Sequence, residues 1–239
     1  MKTSSSHPKG LLKRLTPRSV DHFAELVQFF YVQRHRGFHI PDEPTLDPPS
    51  QAFLGRALAR CTNYIEYGSG GSTVMAARAG KNVICVDSDP YFLKEVEAKI
   101  GNRRMNQQTL DFLYCDIGLT AHWGKPVFRK PTVLRLERWK QYPKLPWDLI
   151  ARRQLAPPDL ILIDGRFRVA CALTSFFHLQ GHPETTVLVD DFVGRPHYAE
   201  IERFGTLVSC QGRMGVFQSR HCTRAELEEA IEASSSDWR

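Results

Sequence analysis

The sequence has no CxxC pair among its six cysteines, no apolar run approaching the about 18 residues that cross a bilayer, and no internal repeat. The cysteines, at 61, 85, 115, 171, 210 and 222, sit mostly inside apolar stretches. That placement suits reduced, buried thiols rather than a disulfide frame or a zinc site. The first ten residues carry charge and serines but lack the apolar core of a signal peptide, so the expected place of action is the cytoplasm, without a membrane span. A formal charge of +6 is mildly basic, yet no recognisable nucleic-acid module accompanies it and no nucleic-acid partner is expected.

What is present is an ordinary globular composition. At 239 residues, 42% hydrophobic and 24% charged, the chain can bury one full core. Its most informative stretch runs from Tyr64 to Thr73: an apolar run ending in Glu66, a turn with Gly68, Gly70 and Gly71, then Ser72 and Thr73 leading into helical spacing. Glycines let the backbone approach a ligand, and the following helix N-terminus favours anionic groups. Strand, ligand turn and helix are therefore expected here.

The same alternation continues downstream. Strands are expected at 63–67, 83–87, 112–116, 160–164 and 187–191, with helices near 72–79, 90–100, 167–179 and 196–204. Such alternation implies an α/β, doubly wound, mostly parallel sheet of Rossmann-like type. Runs at 206–210 and 215–218, separated by four residues, permit only an antiparallel hairpin, and Thr223 with Glu226 forms a capping box for a last helix. Ahead of the sheet lie a basic tail at 1–17 and a helical flank at 18–60, in which Ser19 is the expected N-cap of a helix over 19–35 and a second helix covers 51–60. The domain proper spans 61–239. Its segment 118–158 is too long for a simple connection and is expected to carry a crossover helix and a substrate lid. From Lys125 to Arg153 it holds nine basic residues against Glu137 and Asp148, and the segment also carries the aromatic residues Trp123, Trp139, Tyr142 and Trp147. Cationic and aromatic side chains together suit an anionic or sugar-containing small molecule.

In a sheet of this kind ligands lie beyond the carboxyl ends of the strands, so Glu66, Asp87, Asp116, Asp164 and Asp191 are expected to gather along one edge. Glu66-Tyr67-Gly68-Ser69-Gly70 resembles the ExGxG motif of class I S-adenosylmethionine-dependent methyltransferases, over about residues 60–220. The resemblance implies that Glu66, Gly68, Ser69, Gly70, Ser72 and Thr73 hold the amino-acid part of S-adenosylmethionine. It also implies that Asp87 binds the ribose hydroxyls and that Asp116 and Ile117 lie near the adenine. A single ionised carboxylate suits a diol, and the Gly68 to Asp87 spacing matches the about 20 residues expected of a ribose acid. That spacing also suits a nicotinamide-dependent oxidoreductase. Thr73 in place of a third small residue and Glu66 before the glycines favour methyl transfer. A non-catalytic cofactor-binding protein stays open as well.

Asp164 and the pair Asp190-Asp191 fall at two further strand tips, which resembles the divalent-metal-dependent O-methyltransferases. The resemblance implies Mg²⁺ held by Asp164, Asp190 and Asp191, with Asp164 and Asp191 as catalytic residues for O-methylation of a small-molecule acceptor. Hard oxygen ligands suit that ion. The chain departs from the pattern at Phe167, where catechol-type enzymes carry a lysine base. Arg166 and Arg168 flank it and, with His197, are the candidate substrate-binding residues. Arginine stays protonated, so it binds anions and does not act as a base.

Overall fold

The computed structural model describes residues 17–101 and 108–239, with side chains from residue 23 onward. Seven strands form one sheet in the order β3-β2-β1-β6-β7-β9-β8, and β4 and β5 form a separate two-stranded ribbon. Strands β1 (Asn63–Tyr67), β2 (Asn82–Asp87), β3 (Leu110–Tyr114), β6 (Leu160–Ile163) and β7 (Thr186–Val189) run parallel. β9 (Met214–Ser219) pairs antiparallel with both β7 and β8 (Gly205–Gln211). The expected antiparallel close is therefore present, with β9 between its neighbours and a bulge between Leu207 and Ser209.

Alternate residues of each central strand face opposite cores. Ile65, Val86, Ile161, Ile163 and Val189 point toward α7 (Arg168–His178), α8 (Ala199–Phe204) and α9 (Arg224–Ser234), joined by Trp139 and Trp147 from α5 (Val133–Trp139) and α6 (Leu145–Arg153). Tyr64, Val83, Cys85, Leu160 and Leu188 point the other way, toward α2 (Pro48–Arg60), α3 (Gly71–Arg78) and α4 (Pro90–Ile100). Parallel strands covered on both faces read as nearly continuous apolar runs because both parities are buried. Four of the six cysteines are buried and all six are reduced, as the composition implies.

Element ends depart from the expected ones in telling ways. α1 begins at Pro17, so Ser19 lies inside it rather than capping it. Residues 1–16 of the expected tail fall outside the described residues. α2 starts earlier than expected, because Asp47 accepts from the Ser50 N–H and two prolines occupy the first turn, where their missing N–H costs nothing. β3 begins and ends two residues earlier than expected, which leaves Asp116 beyond its tip. The 118–158 segment holds the β4 (Thr120–Ala121) and β5 (Lys125–Pro126) ribbon plus α5 and α6. No helix among the described residues is long and apolar enough to cross a membrane.

Trp139 is fully buried and its indole N–H donates to the Ile117 carbonyl at 3.0 Å, which fastens α5 to the loop after β3. Trp139→Ala is expected to lower unfolding free energy by about 3–5 kcal/mol in urea titrations. A loss below about 1 kcal/mol would contradict this packing.

Candidate active site

The strand order reverses between β1 and β6, which opens a crevice at the carboxyl edge of the sheet. Glu66 lies at this edge beneath α3, only 1% exposed. Its Oε1 accepts the Ser72 hydroxyl, while Oε2 is buried without a partner. Burial outweighs the Ser72 and Thr73 hydroxyls and pushes the Glu66 carboxyl up to about 8. Gly68 has φ +95, and a Cβ there would strike Gly165 N at 2.8 Å, so the tips of β1 and β6 touch through two glycines. Gly70 donates its N–H to the Thr73 hydroxyl at 3.0 Å, and no atom lies within 4 Å of where its Cβ would stand. Gly71 differs: a Cβ there would fall 2.0 Å from the Glu43 carbonyl oxygen. The N-terminal flank thus rests directly on the turn.

Asp87, also buried, accepts the Ser69 N–H at 2.9 Å and the Ser69 hydroxyl at 2.6 Å on Oδ2, and the Asp89 N–H at 2.9 Å on Oδ1. A carboxylate offers about four acceptor positions, so one remains for a ligand hydroxyl before Ser69 must yield. Burial raises its pKa against the pull of these donors. Asp89 caps α4 through Tyr91 and Phe92, and accepts from the Gln33 side chain at 2.8 Å, a tie to the flank that no sequence pattern announces. The open volume above Gly70, the orphaned Glu66 Oε2 and the spare Asp87 position fit a ligand with an amino-acid end and a diol.

Asp116 and Ile117 follow just beyond the tip of β3. Asp116 is exposed and pairs with Arg138 at 3.0 Å, while its Oδ1 accepts the Gly118 N–H. Ile117 is buried in the core beside Trp139. β3 ends two residues short of Asp116, so that carboxyl hangs off the tip of the sheet.

On the other side of the crevice the structure brings Asp164, Asp190 and Asp191 together, around Arg168. The Arg168 guanidinium donates through Nη2 to Asp164 Oδ1 at 2.9 Å and Asp164 O at 3.0 Å, through Nη1 to Asp190 O at 2.6 Å, and through Nε to Gly165 O at 3.1 Å. Asp190 Oδ2 and Asp191 Oδ2 lie 3.8 and 3.7 Å from Nη1. Asp191 is further paired with Arg195 and, at 3.3 Å, with Arg213. These residues do not fit a divalent ion: a fixed guanidinium already lies among the carboxylates, and the described residues contain no group of three acidic, histidine or cysteine side chains arranged to hold a metal. Arg168, expected to meet substrate, is buried and committed to this network.

Asp164 keeps 35% of its side chain exposed, so solvent screens part of its surroundings. Burial of the carboxyl and the neighbouring Asp190 and Asp191 charges raise its pKa, while Arg168 opposes them. Arg166 has no ion-pair partner among the described residues and its Nε is buried unpartnered. Burial also leaves Asp190 Oδ1, His197 Nε2 and the Tyr198 hydroxyl without partners. The Tyr198 phenol lies within the field of Arg168, Arg195 and Arg166, and Arg195 stacks on its ring at 5.6 Å. Phe167 is fully buried at φ 55, against Trp139 and Tyr142. A lysine there would have to bury its ammonium in that aromatic nest. The Phe167 and Arg168 N–H groups donate to the carbonyls of Trp238 and Arg239, so the C-terminal residues cap α7; sequence inspection missed this contact, as it missed Arg195, Arg213 and Gln33.

No protein-family model matches the chain, and neither does any curated protein. A methyltransferase-like protein from Silicibacter pomeroyi, solved by crystallography, is 30% identical, with a TM-score of 0.71 over 82% of this chain and 100% of that one. The chain belongs to the class I S-adenosylmethionine-dependent methyltransferase family. Two other solved structures are similar in broad outline. One is an O-methyltransferase from Bacillus cereus in complex with SAH, at 16% identity and TM-score 0.44 over 81% of this chain and 88% of that one. The other is the O-methyltransferase TomG from Streptomyces achromogenes, involved in tomaymycin synthesis and solved with SAM, at 16% identity and TM-score 0.47 over 85% and 96%. Likeness at that level carries no argument about this methyltransferase.

The raised Glu66 pKa has a pH signature. The folded chain keeps this proton to about pH 8, whereas the unfolded chain releases it near 4.5. Its contribution to stability is therefore fully present below pH 4.5 and is lost as pH rises toward 8. Glu66→Gln is expected to remove that loss, so the variant gains on the wild type by up to a few kcal/mol between pH 5 and 8 in denaturant titrations. Parallel pH profiles for the two proteins would contradict a protonated Glu66.

Proposed function

We propose that this methyltransferase transfers a methyl group from S-adenosylmethionine to a hydroxyl oxygen of a small anionic or sugar-containing acceptor, with Arg168 supplying the fixed positive charge in place of Mg²⁺. The observation that carries this reading is the Arg168 guanidinium seated among Asp164, Asp190 and Asp191, with Asp164 alone of the three reaching solvent to a third of its surface.

When bound, S-adenosylmethionine supplies an electrophilic methyl on its sulfonium, so most of the protein's work is orientation. Glu66, the Gly68 to Gly70 turn with Ser69, and Ser72 and Thr73 at the start of α3 hold its amino-acid end. Asp87 accepts from the ribose, and the loop bearing Asp116 and Ile117 borders the base. Asp164 takes the proton of the acceptor hydroxyl as the oxygen forms its bond to carbon and the sulfur–carbon bond breaks. A pKa raised toward neutrality suits a carboxylate to that task. Asp191, held by Arg195 and Arg213, is a positioning residue for the Arg168 network. Arg166, unpaired by any carboxylate among the described residues, meets the acceptor's anionic group, with His197 and Tyr198 offering their orphaned polar atoms alongside.

Calorimetry is expected to show binding of S-adenosylmethionine and of its demethylated product, weakened at least about tenfold in Asp87→Ala, which forfeits a charged acceptor. Absence of binding by the wild-type protein would refute the reading. With an acceptor found by screening hydroxylated acids and sugars, Asp164→Asn is expected to lower kcat by about 10²- to 10⁴-fold while cofactor affinity holds. Millimolar Mg²⁺ is expected to leave the Tm of the wild type unchanged but to raise that of Arg168→Ala. That variant leaves Asp164 and Asp190 uncompensated, since Asp191 keeps Arg195 and Arg213, and loses about 3–5 kcal/mol. Equal responses of the two proteins to Mg²⁺ would remove the fixed-cation role.

A further inference from the structure

Residues 117–136 contain Lys125, Arg129, Lys130 and Arg135 and not one acid. None of the four cations forms an ion pair with a carboxylate among the described residues; Arg135 rests over Phe128 at 5.3 Å and Arg129 over Trp238 at 4.9 Å. Between them the chain turns large apolar side chains outward. Trp123, Phe128, Val133 and Leu134 are 57–77% exposed. Trp123 is held outward by a left-handed backbone, φ 63, in the turn between β4 and β5, and Val133 and Leu134 begin α5.

A second exposed apolar stripe lies on the neighbouring helix α1. Phe23, Val27 and Tyr31 recur every four residues along α1, so they share one helix face, and all three are exposed. α1 meets the ribbon directly, with the Phe29 and His122 rings 4.5 Å apart. The sequence leading into α1 repeats the charge bias: residues 1–20 include five Lys or Arg and no acid. Exposed apolar side chains in such numbers, set among unpaired cations, mark an interaction surface.

We propose that this face, the β4–β5 ribbon with the start of α5 and the outer stripe of α1, docks the protein on an anionic lipid surface. Charge chooses the partner. A second copy would bring its own acid-free segment against this one, and like charges would oppose the contact. A nucleic acid would use the cations and stack on Trp123 and Phe128, but it has no use for Val133 and Leu134. A bilayer interface uses every part: anionic headgroups meet the Lys and Arg side chains, Trp123 sits at headgroup depth, and the aliphatic and phenyl groups enter the acyl boundary. Gly124 of this ribbon accepts from the Ser88 hydroxyl at the tip of β2, so the docking face borders the crevice.

Co-sedimentation of the full chain with vesicles tests the proposal, using phosphatidylcholine alone and phosphatidylcholine containing about one third phosphatidylserine. The protein is expected to sediment with the anionic vesicles, to be released by raised salt, and to ignore the neutral ones. Arg129→Glu with Lys130→Glu, and separately Trp123→Ser with Leu134→Ser, are each expected to weaken binding at least about tenfold. These side chains are exposed, and circular dichroism verifies that both variants are folded. Failure to bind anionic vesicles, or equal binding by either variant, overturns the proposal. So does binding to a single-stranded oligonucleotide that is lost in the charge variant and retained in the Trp123 and Leu134 variant. A dimer in sedimentation velocity that only the Trp123 and Leu134 variant dissolves, without vesicle binding, also overturns it.

Discussion

The guanidinium of Arg168 holds the β6 and β7 edge of the sheet together. It donates to carbonyls of Asp164, Gly165 and Asp190 as well as to the Asp164 carboxylate, so one side chain staples the tips of β6 and β7. Carboxylates gathered at a sheet edge repel unless a cation lies among them. A divalent ion meets that need in exchange for binding affinity; an arginine meets it permanently, through a planar fork that also satisfies backbone oxygens. Because the charge is covalently part of α7, the position of that helix and the charge balance of the crevice cannot be adjusted separately.

Most of the architecture was legible because it rests on local pattern. The strand parities, the glycine turn after Glu66, the capping box at Thr223 and the short connection forcing β8 and β9 antiparallel are all written in neighbouring residues. The carboxylate cluster was legible too, since strand tips in a parallel sheet share one edge. What fills the cluster was not. Nothing in the spacing of Arg168 says whether its side chain turns outward to a substrate or inward to Asp164 and Asp190; that depends on Phe167 taking a left-handed backbone and burying its ring. Gln33 on Asp89, Arg213 on Asp191 and the C-terminal carbonyls on α7 join residues 22 to 71 positions apart, and no periodicity reports such contacts. β3 was read two residues late because no periodicity marks where Leu-Asp-Phe-Leu-Tyr-Cys-Asp leaves the sheet, so Asp116 follows the strand rather than ending it.

The two halves of the crevice also differ in electrostatic style. On the β1 and β2 side Glu66 and Asp87 are acids buried among hydroxyls and backbone N–H groups, with no arginine among the described residues bonded to either. On the β6 and β7 side Asp164, Asp190 and Asp191 all face arginine. A ligand carrying positive charge is therefore favoured on the first side and one carrying negative charge on the second, and the glycine contact between Gly68 and Gly165 sets the two within one turn of each other.

Gly70 and Gly71 are neighbours with opposite surroundings. Past Gly70 the space is open; past Gly71 the backbone of Glu43 and Pro44 closes against the turn. The turn consequently has a single free flank. A side chain could grow outward from Gly70 without displacing anything, whereas the smallest one at Gly71 would have to lift the N-terminal flank off the sheet.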